Sequence, residues 1–287
     1  MSYLRALACV VAVIVLYAAP ATAQDDRPPL ETWTLDDDTT VGIAHFDDLR
    51  MDVMMVIDKD ELVWSQGSYV LEMGDDFNIP VKTGTDITGN GVPNMILLSF
   101  SGGAHCCSTY YLFAFEPYFR QVAVIDTQDS GARFVPHSGV TGLVMITGDN
   151  TFAYWNTYYA ASPAPEVKLV WDGTAYTFEA HLMAAPAPSA DTLKQQAATV
   201  AASDQWTDTD MDPDLWREML DLIYSGHADL AWTFLDDGWP TDRAGKDTFK
   251  TNFRCQLAQS PYWDAIAAMN GIDPGDVPAD CSGNTGG

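Results

Sequence analysis

The feature that most constrains this chain is a single change in the period of its hydrophobic pattern. From about Thr32 to about Met183 the apolar residues come in short or alternating runs: Val53 to Ile57, Glu61 to Trp64, Met95 to Ser99, Tyr110 to Phe115, Gln121 to Ile125, Thr141 to Ile146, Phe152 to Trp155, Val167 to Trp171 and Tyr176 to Ala180. Gly, Asp, Asn and Pro separate these runs, which is strand text. Asp172-Gly173 between Trp171 and Tyr176 is a hairpin signal. After the small-residue and proline stretch Ala184-Ala185-Pro186-Ala187-Pro188 the period becomes that of a helix. The expected class is therefore α+β: a mostly antiparallel β domain over 24–183, with propeller-like or sandwich-like sheets, a linker over 184–190, and a helical domain over 191–287.

The helical text carries its own start and stop signals. Ser189 is placed to cap a helix with Leu193, Ala197, Val200 and Ala201 on one face, and Asp212-Pro213-Asp214 combines an N-cap with proline at a first helical position. Trp216, Met219, Leu220 and Ile223 then recur at helical spacing before Ser225-Gly226. Leu230, Ala231, Phe234 and Leu235 mark a second stripe, which Gly238-Trp239-Pro240 stops, and Phe249, Phe253 and Leu257 mark a third. Ser260-Pro261 starts a short last helix that closes at Gly271. Met and aromatic residues at this spacing read as core. The segment from Leu222 to Leu235 is similar to one tetratricopeptide hairpin, a single unit that makes no repeat array, and His227 within it reads as a helix-terminus residue.

Before these regions stands a removable leader. Arg5 gives a short basic start, Ala6 to Ala19 form an apolar run too short to span a bilayer comfortably, and Ala21-Thr22-Ala23 fits a signal-peptidase site. Residues 1–23 are thus expected to be a signal peptide, the mature chain to begin at Gln24 without a later membrane span, and the location to be periplasmic or secreted. Export makes disulfides the expectation for the four cysteines left in the mature chain, Cys106, Cys107, Cys255 and Cys281. Three pairings are possible, and Cys255 with Cys281 is the simplest, closing a C-terminal loop for about 3 kcal/mol. That leaves the adjacent Cys106 and Cys107 bonded to each other or as thiols.

Charge restricts the partners. The chain carries 40 Asp and Glu against 14 Lys and Arg, a net charge of −26, which argues against nucleic acid. A hydrophobic content of 47 % is too high for an acidic disordered tail, so a core is expected. An envelope component or other extracellular partner of unspecified kind is expected, bound through the β domain.

The segment richest in chemistry runs from Gly84 to Asn94. Asp86, Thr88 and Asn90 stand at alternate positions, Gly91 permits a sharp turn, the Val92 carbonyl is positioned to turn inward and Asn94 adds another oxygen, the order of donors by which a loop wraps calcium. An EF-hand is excluded, because Leu97 stands where a bidentate Glu would be needed and strand text follows. The segment resembles the D-x-[DN]-G-D-G-x-P-[DE] loop of FG-GAP and VCBS-type repeats, β modules of secreted and surface proteins. That resemblance implies a calcium-stabilised loop before a strand. Of its ligand positions only Asp86 is an acid here, Asn94 standing where the family has Asp or Glu, which lowers the expected affinity. The competing reading is an Asx and glycine turn that only shapes the hairpin.

Next comes Gly102-Gly103-Ala104-His105-Cys106-Cys107, between two strong strands. His beside Cys admits a soft-metal site, an activated thiolate or a redox-active vicinal disulfide. In regular strand the two cysteines point to opposite faces, and a metal would also need His45, His137 or His181 brought close. The string is similar to that of exported bacterial proteins of unassigned activity with a helical C-terminal segment, a likeness that implies no reaction.

Two functional classes follow. The first is a non-catalytic binding or structural protein with one possible calcium-stabilised loop. The second is an enzyme: a glycan hydrolase using carboxylates from Asp36-Asp37-Asp38, Asp47-Asp48, Asp75-Asp76 or Asp236-Asp237, or a Cys-dependent or metal-dependent catalyst at His105, Cys106 and Cys107. No G-x-S-x-G, H-E-x-x-H, P-loop or dinucleotide fingerprint occurs in the sequence. The first class is the expectation carried forward.

Overall fold

The structure, a computed structural model, describes residues 30–281 apart from 75–78, 105, 208–209 and 280, so the expected signal segment lies outside the described residues. Strands occur as three open four-stranded sheets, each ordered as a meander along the chain. The first holds β1 (Leu30–Thr34), β2 (Thr39–Phe46), β3 (Met51–Asp58) and β4 (Glu61–Ser68). The second holds β5 (Val70–Met73), β6 (Asn94–Gly103), β7 (Cys106–Ala114) and β8 (Arg120–Asp126). The third holds β9 (Arg133–Pro136), β10 (Leu143–Gly148), β11 (Glu166–Trp171) and β12 (Tyr176–Phe178). Helices α1 (Ala180–Met183), α2 (Ala190–Ala201), α3 (Asp214–Tyr224), α4 (Ala228–Gly238), α5 (Lys246–Leu257) and α6 (Trp263–Met269) follow. The class is α+β, none of the sheets closes into a barrel, and no described helix is long and apolar enough to cross a membrane.

The chain divides into two compact units. The first runs through Asp129 and takes in Pro136–Leu143 and Gly173–Ala175; the second comprises Ser130–Val135, Val144–Asp172 and everything from Tyr176 on, including the 184–190 segment. In the first unit the pleat assigns the faces. Val41 pairs with Val56 and Ile43 with Met54, so these side chains share one face of the first sheet, where they pack on Leu71, Met73, Met95, Leu97 and Phe113 of the second. Ala44 pairs with Val53 and Gly42 with Met55 on the other face, and Ala44, Val53 and Met55 form a separate cluster. The two sheets thus meet face to face, as in a sandwich.

The second unit is organised by aromatic rings. Trp155 lies with its ring 5.1 Å from Phe152, 5.7 Å from Trp216, 5.4 Å from Phe249 and 5.9 Å from Phe253. Leu215, Trp216, Met219, Leu220 and Ile223 of α3, Ala231, Phe234 and Leu235 of α4, and Leu193, Ala197 and Val200 of α2 are buried at the spacing the sequence shows. Ser189 Oγ accepts from the Thr192 N–H at 3.1 Å and the Asp212 carboxylate from the Asp214 N–H at 2.9 Å, so both expected start signals act through their side chains. Cys255, at 3 % exposure, is bonded to Cys281, their Cα atoms 5.3 Å apart.

One expected strand is absent. Asn150–Phe152 forms a single 3-10 turn, whose preceding Asp149 accepts from the Thr151 N–H at 2.8 Å, and Tyr154 and Asn156 take the left-handed conformation with φ of 60° and 53°. Two left-handed residues around one buried tryptophan cannot continue a pleat. Tyr176 to Ala180 is likewise shorter than expected, because α1 begins at Ala180.

Candidate functional site

In the first unit, the Gly84–Asn94 segment folds as a tight loop that satisfies its own polar groups. Asp86 Oδ1 accepts from the backbone N–H of Gly89 at 2.7 Å and of Asn90 at 3.1 Å, and Oδ2 accepts from Gly91 at 2.8 Å. Asn90 Oδ1 takes the Val92 N–H at 2.9 Å. Asn94 faces inward at 0 % exposure: its Oδ1 accepts from the N–H groups of Ile87 at 2.9 Å and Thr88 at 3.2 Å, and its Nδ2 donates to the Phe113 carbonyl at 3.2 Å. Its own backbone N–H and C=O bond to Thr85 and Gly84, pinning the loop to the start of β6. Thr88, 5 % exposed, donates its hydroxyl to the same Asn94 oxygen at 3.4 Å.

Glycine is required at one point of this loop. Gly89 has a φ of +76°, and a Cβ there would lie 2.4 Å from the carbonyl carbon of Thr141; Gly142 has a φ of +82°, and its Cβ would lie 2.5 Å from the Ile87 oxygen. The two backbones pass with no room for a side chain on either, and the Leu143 N–H closes the contact on the Ile87 carbonyl at 2.9 Å.

The structure therefore brings Asp86, Thr88, Asn90, Val92 and Asn94 into one turn, but points the side-chain oxygens of Asp86, Thr88, Asn90 and Asn94 to different tasks, with Val92 engaged through its N–H. The arrangement does not fit a hard cation. Asn94 and Thr88 are buried with their oxygens turned into the strand junction, and the one carboxylate serves three backbone donors. Among the described residues no group of three His, Cys, Asp or Glu is placed to hold a metal ion.

The Gly102–Cys107 segment forms the end of the β6–β7 hairpin, closing at the Gly103–Cys106 backbone pair. His105 and the Cys106 side chain lie outside the described residues. Cys107 is disulfide-bonded, and its N–H donates to Ser101 Oγ at 2.7 Å. A disulfide sulfur is neither a thiolate nucleophile nor a thiolate ligand, so in this form Cys107 offers neither, and of the three expected chemistries only the redox-active disulfide is compatible with it. Gly102 permits close approach of Tyr69, whose ring would be 2.6 Å from a Cβ there.

The three histidines considered as partners go to separate local tasks. His45 Nδ1 meets Asp52 Oδ1 at 2.9 Å, while Asp52 Oδ2 accepts from the Leu71 N–H at 3.0 Å, so this pair ties the first sheet to the second. It borders an open cleft of about 280 Å³ lined by Phe46, Asp47, Arg50, Met51, Tyr69 and Val70. His137 bonds the neighbouring Ser138 carbonyl at 2.9 Å, and His181 sits in the first turn of α1, where its N–H reaches Glu179. His227 precedes α4 and meets the Ala185 carbonyl at 2.7 Å, a helix-terminus role.

The acidic clusters divide in the same way. Asp36 accepts from the N–H groups of Asp38 and Thr39, Asp47 and Asp48 open a 3-10 turn, and Asp236 pairs with Lys246 at 3.3 Å; Asp75 and Asp76 lie outside the described residues. The carboxylate that matters most in the second unit was not among them. Asp149, 2 % exposed, accepts from the hydroxyls of Tyr224 and Ser260 at 2.5 Å each and from both the N–H and hydroxyl of Thr151. Burial and then the Asp149 charge hold the Tyr224 hydroxyl well above the ordinary tyrosine range, and the same causes push Tyr262 up to about 12. Its only sequence signal is an Asp-Asn-Thr turn.

Comparison with family models, with curated proteins and with solved structures gives no match to this chain, and the resemblance to FG-GAP and VCBS modules rests on the Gly84–Asn94 residues alone.

Proposed function

We propose that this chain is an exported, non-catalytic binding protein whose Asp86 loop is a structural turn. The observation that carries this reading is the engagement of the residues with most chemistry: the Asp86 carboxylate accepts three backbone N–H groups and Cys107 is held in a disulfide. A general acid or nucleophile must be free to exchange a proton or attack, and these groups are committed to the fold. Export is supported by Arg5, the Ala6–Ala19 run and the Ala21-Thr22-Ala23 site. The net charge of −26 argues against nucleic acid as a partner and supports envelope or extracellular components.

The test uses the full chain expressed with its own leader. The recovered protein is expected to begin at Gln24, and to bind isolated envelope polymers and return them at unchanged mass. Fragments released from those polymers, lost on replacing one Asp, His or Cys without unfolding, would overturn the reading in favour of an enzyme.

A further inference from the structure

An asparagine followed by glycine can lose its side-chain amide without any external reagent but water, because glycine leaves its backbone nitrogen unshielded beside the asparagine Cγ, and those two atoms close a succinimide ring. This chain holds Asn-Gly twice, at Asn90-Gly91 and Asn270-Gly271. The first lies in the Asp86 loop of the first unit and the second directly after α6 in the second unit. The fold treats the same two residues in opposite ways.

At Asn270 every atom needed for ring closure is tied down. Its Oδ1 accepts from the Ala228 N–H at 2.8 Å, its Nδ2 donates to the carbonyls of Ile223 and Ile266 at 2.9 Å each, and the Gly271 N–H donates to the Ala268 carbonyl at 3.2 Å. To react, this amide would have to give up the bonds by which it joins α3, α4 and α6.

At Asn90 the contacts match the needs of the reaction. The Gly91 N–H donates to Asp86 Oδ2 at 2.8 Å, and Asn90 Oδ1 accepts from the Val92 N–H at 2.9 Å. Asn90 and Gly91 are both exposed, a Cβ at Gly91 would meet nothing within 4 Å, and among the described residues no hydrogen bond holds Asn90 Nδ2. Ring closure requires the glycine nitrogen to lose its proton, and a carboxylate oxygen sits on that proton. Negative charge then develops on Oδ1, and a backbone N–H already points at it. The amide nitrogen must leave, and nothing in the fold retains it.

We propose that Asn90-Gly91 is a self-modification site, at which the Asp86 carboxylate drives conversion of Asn90 to aspartate and isoaspartate. The Gly91 nitrogen bonds to Asn90 Cγ as its proton passes to Asp86; the Cγ–Nδ2 bond breaks, and Nδ2 leaves as ammonia with that proton, returning Asp86 to its ionised form. Water then opens the succinimide at either carbonyl, giving the aspartyl or the isoaspartyl residue, and nothing is oxidised or reduced. The event happens once per chain and needs no external substrate, so it is compatible with a non-catalytic protein: the bonds that commit Asp86 to the fold aim it at one internal proton. The product places a second carboxylate in the loop. Its isoaspartyl form moves one methylene into the main chain between the N–H groups of Asn90 and Gly91, both of which Asp86 holds, so the reaction undoes the turn.

The test incubates the mature protein, folded and in denaturant, under the same neutral conditions and follows it by peptide mass mapping that separates aspartyl from isoaspartyl products. Conversion at Asn90 is expected to run about tenfold faster in the folded protein than in the unfolded one, with both products present, while Asn270 converts only in denaturant. Asp86→Asn, which keeps an acceptor oxygen but no base, is expected to bring the folded rate at Asn90 down about tenfold, and Gly91→Ala, whose methyl shields the nitrogen, to lower it as well. A carboxylate that only restrains the loop gives the opposite signs, with Asn90 slower in the folded protein than in denaturant and faster in Asp86→Asn. Either of those results, aspartyl product alone, or equal conversion of Asn90 and Asn270 in the folded protein would overturn the site. Melting curves establish that each variant is folded during the assay, and if Asp86→Asn is not, the folded and unfolded rates at the two asparagines of the wild type decide by themselves.

Discussion

The loop from Gly84 to Asn94 and the loop from Ala153 to Ser162 invert each other. The first is dense in metal-type oxygens, and the fold turns those oxygens inward onto backbone donors, with Asn94 fully buried and Asp86 bonded to Gly89, Asn90 and Gly91. The second has no charged residue at all, and Tyr154 and Tyr158 stand exposed on a backbone anchored by Trp155. Residue chemistry alone ranks the first loop as the site. What decides is where the hydrogen bonds of each loop end: in the first they end within the loop and its flanking strands, and in the second Ser162 ties the backbone of Tyr154 to that of Tyr158.

Both loops depend on neighbours, and substitutions there should show it in order of size. Asp149→Ala, at the root of the tyrosine loop, removes the acceptor of two buried hydroxyls and of the Thr151 cap; a loss of about 4 kcal/mol is expected in denaturant unfolding. A loss below about 1 kcal/mol would mean the carboxylate is not the hub of that unit. Gly89→Ala places a Cβ against the Thr141 backbone at a positive φ, and about 3 kcal/mol should be lost. Gly91→Ala, with open space around its Cβ but a φ of +82°, should cost about 1 kcal/mol, so equal effects at the two glycines would contradict the close passage described for Gly89.

Alkaline pH should act on the second unit. The Tyr262 hydroxyl is pushed up to about 12, and Tyr224 is held well above the ordinary tyrosine range by burial and the Asp149 charge. The fold keeps these protons at a pH where the unfolded chain, ionising near about 10, has lost them. Stability is therefore unaffected by these groups below pH about 10 and falls as pH rises towards and past 12. Tyrosine absorbance followed against pH in the native protein should show late-ionising groups, with unfolding accompanying their ionisation; complete reversible titration near pH 10 with the fold intact would contradict the burial described.

Much of the architecture was readable from period alone. The α+β class, most of the strands and the buried faces of α2, α3 and α4 follow from spacing, and Ser189 and Asp212 act as the caps their positions suggest. Strand β2 is not legible as a run, because Thr39-Thr40-Val41-Gly42-Ile43-Ala44 mixes glycine and alanine into a strand buried on both faces. Phe152 to Trp155 read as a strand because three of its four residues are apolar, whereas the capping by Asp149 and the left-handed Tyr154 are decided by packing around Trp155. The five expected calcium positions were legible as a turn, but the direction of each oxygen depends on β6, β7 and the 139–143 segment, which no local pattern encodes. The tyrosine loop is marked in the sequence only by sixteen consecutive residues without charge, from Asn150 to Pro165, in a chain that is 19 % charged.

The contrast between the two loops is tested most directly by measuring stability and melting temperature in parallel for the wild type, Asp86→Ala and Tyr158→Ala, each with excess calcium and with a chelator. Asp86→Ala is expected to lose about 2 kcal/mol of stability equally with and without calcium, and Tyr158→Ala to keep its stability within about 0.5 kcal/mol. A calcium-dependent rise in the melting temperature of the wild type that Asp86→Ala abolishes, or a loss at Tyr158→Ala as large as that at Asp86→Ala, would contradict it.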